Sequence, residues 1–213
     1  DGGGHTISGL SLTQSLSPAG LFGTLQPTAV VKNLTVQGTV TPGGDGLSVG
    51  GVAGENYGTV ENGTFIGTVV GKTNTGGIAG MNYGTLRACR AEGDVTGDNR
   101  TGGIVGYNCG SLVSCRSSAS VNTESVDPTI NPKDIRLDFS MDFSKTANLD
   151  NSDAASDTGG IAGYSSGTIT SCVNSGSVGY PHIGYNLGGI AGRSCGFVEG
   201  CRNEGFITGR KDV

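Results

Sequence analysis

The chain has 213 residues, 41 of them glycine and none tryptophan, with 34% hydrophobic and 15% charged residues. It is too glycine-rich for an ordinary packed core and too apolar for a disordered segment. A net charge of −5, a pI near 4.9 and only 13 scattered Lys and Arg residues argue against a nucleic-acid partner, which needs a basic stripe, and no run approaches the roughly 18 apolar residues of a membrane span.

The opening DGGGHTISGLSL predicts a glycine turn, with His5 as a turn residue, leading into a first strand. GLFG at 20–23 begins a divergent repeat unit, and GG pairs then mark the rest. With the second glycine of each pair as origin, units begin at Gly51, Gly77, Gly103, Gly160 and Gly189, spaced 26, 26, 57 and 29 residues apart. The spacing of 57 reads as one unit carrying a long insertion.

Aliphatic residues occupy three slots in every unit. Val52, Ile78, Ile104, Ile161 and Ile190 follow the origin; Val60, Leu86, Leu112, Ile169 and Val198 come next; Val69, Val95, Val121, Val178 and Ile207 complete the set. The slots lie about nine residues apart, whereas a helix needs apolar residues every three or four positions. Three short strands per turn of chain, each holding one inward aliphatic, meet the pattern. The expected fold is an all-β, right-handed parallel β-solenoid (β-helix) of about six coils of ~26 residues, with like residues stacked at the ~4.8 Å strand spacing. Gly58, Gly84, Gly110, Gly167 and Gly196, near Asn56, Asn82 and Asn108, are expected at corners where φ is positive. The recurrence of the glycine motif argues against a phosphate cradle. GTVVGKT at 67–73 is one residue short of a phosphate-binding loop, has Ile66 where the first glycine should fall, and precedes nothing with a helical period.

Residues 122–157 break the repeat and form the insertion. Within it, IRLDFSMDF alternates strictly, with Ile135, Leu137, Phe139, Met141 and Phe143 on one face and Asp138 and Asp142 on the other, which predicts a half-buried strand with an acidic outer face. Asp150, Asp153 and Asp157 in LDNSDAASD offer oxygen ligands for a hard cation such as Ca²⁺, but the order is not that of an EF-hand, and a solvated acidic loop is the favoured reading. Before the last coil, GYPHIGY brings Tyr180, His182 and Tyr185 into a candidate sugar-stacking cluster, with an exposed loop as the plainer reading.

Cys89, Cys115, Cys172 and Cys201 share one repeat position, with Gly63 and Leu34 in the corresponding place, and predict an internal ladder. Free thiols acting as small apolar fillers are favoured. The alternatives are bridges between neighbouring coils, such as Cys89 with Cys115 or Cys172 with Cys201, or bridges within a coil from the corner residues Cys109 and Cys195 to Cys115 and Cys201. Without a CxxC pair, and with its two histidines in different coils, the sequence does not point to zinc. It carries no HExxH, GxSxG or Cys/His signature. Glu61 and Glu199 share a repeat position, yet Arg87, Val113 and Thr170 fall between them, so charges alternate rather than assemble as catalytic carboxylates. Thr59, Thr85, Ser111, Thr168 and Phe197 do not keep the regular threonine rank of an ice-binding face. Asn33, Asn62 and Asn99 head Asn-x-Thr sequons, which are glycan sites in a eukaryotic secretory protein and simple turns in a bacterial one.

GLFG at 20–23, the GGVAG and GGIAG variants at 50–54, 76–80, 159–163 and 188–192, and the G-T-[VLI]-x-x-C segments that follow resemble the GLUG repeat. The opening segment is similar to the first coil of pectate-lyase-like β-helices. The resemblance covers residues 1–121 and 158–209 and implies large secreted or surface proteins of bacteria, with no shared activity. With no initiator Met and an ending at GRKDV, the chain reads as one β-solenoid domain, 1–213, within a longer protein. The expected function is a non-catalytic stalk or adhesin-like module, extracellular or on a bacterial cell surface, displaying loops to a host or environmental glycan or a surface protein, with flanking domains of the same chain as further partners. The alternative is a carbohydrate-active β-helix lyase or hydrolase.

Overall fold

A computed structural model describes residues 1–123, 156–179 and 186–209. The chain winds into an all-β solenoid of about five turns whose strands pair in parallel. Three sheets run along it. Sheet I has 12 strands; sheet II has 5 (Leu47–Gly50, Thr73–Gly76, Asn99–Gly102, Ser156–Gly159, Leu187–Gly188); sheet III has 6 (Phe22–Leu25, Ala53–Asn56, Ala79–Asn82, Val105–Asn108, Ala162–Ser165, Ala191–Ser194). The rest of each coil belongs to sheet I, where Thr59–Val70 runs as one strand through two of the three aliphatic slots.

Repeat positions stack in register. Val60 pairs with Leu86, Leu86 with Leu112, Leu112 with Ile169 and Ile169 with Val198. Val69, Val95 and Val121 align likewise, and isolated bridges extend that column to Val178 and Ile207. Leu86, Leu112 and Ile169 are wholly buried, each such side chain contributing about 1.5–3 kcal/mol relative to exposure. Val198 in the last coil is 42% exposed, because no described rung stacks beyond it.

Two expectations are corrected. The first aliphatic slot lies not in a strand but on the two-residue bend that joins sheet II to sheet III, where Ile78 N–H donates to Ile104 C=O at 2.9 Å. That bend folds sheet III against sheet II: a Cβ on Gly80 would fall 2.4 Å from the backbone of Ser48 in the sheet II strand of the preceding coil. The second correction concerns the corner glycines. Gly58, Gly84, Gly110, Gly167 and Gly196 are not among the residues with positive φ. They are required by close approach, since a Cβ on Gly110 would lie 2.1 Å from the carbonyl oxygen of Gly84 on the preceding coil. Among the non-glycine residues, Asn122 apart, left-handed backbone falls instead on two other columns. One runs through Ser48, Asn74, Arg100, Asp157 and Asn186, the other through Asn33, Asn62, Ala88, Ser114 and Ser171, with φ between 50° and 59°. Asn, Asp and Ser tolerate this region better than most side chains because they can hydrogen-bond their own backbone.

The insertion lies outside the described residues from 124 to 155, and with it fall Asp138, Asp142, Asp150, Asp153 and the predicted IRLDFSMDF strand. Its base is described. Asn122 accepts from Gly97 N–H at 2.9 Å and donates from Nδ2 to Thr158 Oγ1 at 3.1 Å, tying the exit of the insertion to its return.

Candidate functional site: the tyrosine face of sheet III

The inner side of sheet III is polar yet sealed. Asn56, Asn82, Asn108 and Ser165 are wholly buried at one repeat position. Asn56 Nδ2 donates to Asn82 Oδ1 at 2.7 Å, Asn82 Nδ2 to Asn108 Oδ1 at 2.9 Å, and Asn108 Nδ2 to Ser165 Oγ at 3.0 Å. Each amide also reaches the backbone of the following corner, as Asn56 does with Gly58 at 3.3 Å. Buried amides demand partners, and the repeat supplies one from the next coil every time.

The same segments raise four tyrosines on the outer side. Tyr107 and Tyr164 stand within their strands; Tyr57 and Tyr83 lie one residue past theirs, at the bend into sheet I. Tyr57 and Tyr83 stack with centroids 4.7 Å apart and planes 7° from parallel, and Tyr107 and Tyr164 stack at 5.3 Å and 7°. Tyr83 meets Tyr107 edge-on at 6.4 Å, so the two pairs join into one stripe. The guanidinium of Arg100 lies 5.1 Å from the Tyr107 centroid and 5.6 Å from that of Tyr164, and Arg193 lies 5.9 Å from Tyr164. The centroid spacing of the stacked pairs is close to the rung spacing. Within each stacked pair the planes are parallel, and the 62° between Tyr83 and Tyr107 turns one pair against the other.

Every phenol on the stripe is held above its ordinary value of 10.0. Burial does this at Tyr57, helped by the Glu55 carboxylate, and burial and then Tyr57 do it at Tyr83. Hydrogen bonding with Cys109 raises Tyr107, and Cys195, whose Sγ is 3.1 Å from the hydroxyl, raises Tyr164. The stripe thus keeps neutral hydroxyls, able to donate and accept, across the physiological pH range.

The sequence-predicted residues fare differently. Tyr180, His182 and Tyr185 lie outside the described residues. Asp157 sits in a left-handed column, buried, accepting from Asn186 Nδ2 at 2.7 Å; among the described residues no group of three His, Cys, Asp or Glu side chains converges as a metal site. Cys89, Cys115 and Cys172 are buried in the ladder, Cys201 partly so, and all six cysteines are unbridged. Cys115 donates to Leu86 C=O at 3.4 Å inside the core, whereas Cys109 faces outward and accepts from Ser166 Oγ at 3.3 Å. Hydrogen bonding with Cys115 and burial push the Cys172 thiol well up. Glu61, Arg87, Val113, Thr170 and Glu199 stand in one register column, charges alternating as expected. His5 is exposed, its Nδ1–H donating to Gly2 C=O at 2.9 Å. Sequence reasoning missed the tyrosine stripe, though the signal was present: NYG recurs at 56–58 and 82–84, and GY at 106–107 and 163–164.

Comparison with known proteins adds one likeness. Over 72 residues, 33% of this chain, the sequence is 47% identical to halomucin from Haloquadratum walsbyi (strain DSM 16790 / HBSQ001). The matched segment is 1% of that protein's length, so the chain spans a very small part of its relative. No protein-family model matches the chain, and no solved structure matches it.

Proposed function

We propose that this solenoid is a non-catalytic, adhesin-like module of an extracellular or cell-surface repeat protein, and that it binds glycan along the tyrosine face of sheet III. The stacked stripe with its two arginines carries the reading. Tyr and Arg are the side chains that most often dominate binding surfaces, because they offer large contact area and directional hydrogen bonds at small entropic cost. Here the rings are already ordered by stacking. Contact runs through the exposed rings, their hydroxyls and the guanidinium groups, which suits a hydroxyl-rich polymer laid along the axis. The partial likeness to halomucin and the resemblance to GLUG repeats support an extracellular setting.

The test is retention of the labelled chain on an array of host and plant glycans, with absorbance at 235 nm followed in the supernatants. Binding to neutral glycans without new absorbance, lost in Tyr83→Ala/Tyr107→Ala, supports the reading. Rising absorbance would mark a polysaccharide lyase, and retention on neutral glycans unaffected by the double substitution would remove the stripe from the account.

A further inference from the structure

A second site emerges on the outer face of sheet I, away from the tyrosines. Immediately after the ladder cysteines, four coils read CRAE, CRSS, CVNS and CRNE, beginning at Cys89, Cys115, Cys172 and Cys201. Register places Arg90, Arg116, Val173 and Arg202 in one outward column. Two residues on, Glu92, Ser118, Ser175 and Glu204 form the neighbouring column. In the outer coils the arginine has its own carboxylate: Arg90 lies 3.7 Å from Glu92, and Arg202 pairs with Glu204. In the two middle coils serines replace the acids, and Arg116 has no ion pair among the described residues.

Arg116 also stands directly beside Arg90, and like charges on neighbouring rungs destabilise a sheet unless something lies between them. At this place the surface dips into a cavity of about 210 Å³, lined by Arg90, Arg116, Ser118, Val173, Ser175 and Glu204. The hydroxyls of Ser118 and Ser175 make only long bonds, 3.5 and 3.3 Å, to backbone carbonyls, and are easily redirected. Glu204 at the rim is held by Arg202 and Arg90 is shared with Glu92, so Arg116, with the second guanidinium alongside and two loosely bonded hydroxyls, forms a donor set for one oxyanion. We infer that this cavity binds the carboxylate or sulfate group of an acidic polysaccharide, held by Arg116 and Arg90 and hydrogen-bonded by Ser118 and Ser175.

The chain's net charge of −5 works in favour of the test, because it disfavours unspecific binding of polyanions. Affinity is measured for dextran sulfate, polygalacturonate and neutral dextran at ~0.15 M salt, where contacts between exposed charges are already partly screened. The wild-type chain should bind at least one acidic polymer in preference to neutral dextran, and the better of the two names the oxyanion. Arg116→Ala should weaken this about tenfold. Ser118→Glu, which recreates the arrangement of Arg90 with Glu92, should abolish it while leaving the melting temperature unchanged or raised. Equal binding by wild type and Ser118→Glu, or no preference over neutral dextran, would overturn the proposal. Because Tyr83→Ala/Tyr107→Ala should leave this binding intact, the two sites stand or fall separately.

Discussion

The two faces of sheet III follow the same backbone and obey opposite rules. Inward, Asn56, Asn82 and Asn108 are sealed from water and hold one another coil to coil. Outward, Tyr57 and Tyr83 remain about 40% exposed although they stack coil to coil as regularly as the asparagines bond. Repetition alone therefore does not tell a structural ladder from a binding stripe. What separates them is which side of the rung a residue occupies, and hence whether losing it leaves an unpaired buried group or only bare surface.

The largest effect should come from the glycine column at the corners next to the inner face. Gly110→Ala places a methyl 2.1 Å from the Gly84 carbonyl, and chemical denaturation should show a loss of about 3 kcal/mol. A smaller loss, about 2 kcal/mol, is expected for Asn82→Ala, which strands the Asn56 amide donor and the Asn108 acceptor.

Alkaline pH should act both on the cysteine ladder beneath sheet I and on the outer face of sheet III. Cys172 and Cys201 inside, and the four stripe phenols outside, sit above their ordinary values of 9.0 and 10.0 when folded. The unfolded chain gives up these protons first as pH rises, so the stability they contribute is whole below about pH 9 and is lost above it. Cys89, lowered through its hydrogen bond with Cys115, offsets part of this. The melting temperature should be flat from pH 6.5 to 8.5 and fall beyond. The smallest change is a gain: Ala88→Gly releases a non-glycine residue at φ 50° and should stabilise by about 0.5 kcal/mol.

Much of the architecture was legible because a solenoid writes its register into spacing. The alignment of Val60, Leu86, Leu112 and Ile169, and the burial of the cysteine ladder, follow from repeat positions alone. The division into sheets did not, because the GG bend moves Ile78 and its equivalents out of a strand, and periodicity cannot tell an inward residue on a bend from one on a strand. Corner glycines misled for a related reason: glycine serves positive φ and close approach alike, and only the neighbouring coil reveals which. The tyrosine stripe escaped notice because its members occupy two offsets, Tyr57 and Tyr83 at one and Tyr107 and Tyr164 at another, and they meet only once the rungs are stacked.

The most direct measurement pairs one substitution on each face, Asn82→Ala inside and Tyr107→Ala outside, and records thermal melting and retention on neutral glycans for both. The account predicts a clear drop in melting temperature with retention kept below the melt for Asn82→Ala, and an unchanged melt with retention lost for Tyr107→Ala. A Tyr107→Ala protein that melts early yet binds as well as the parent would contradict it, making the stripe one more structural ladder.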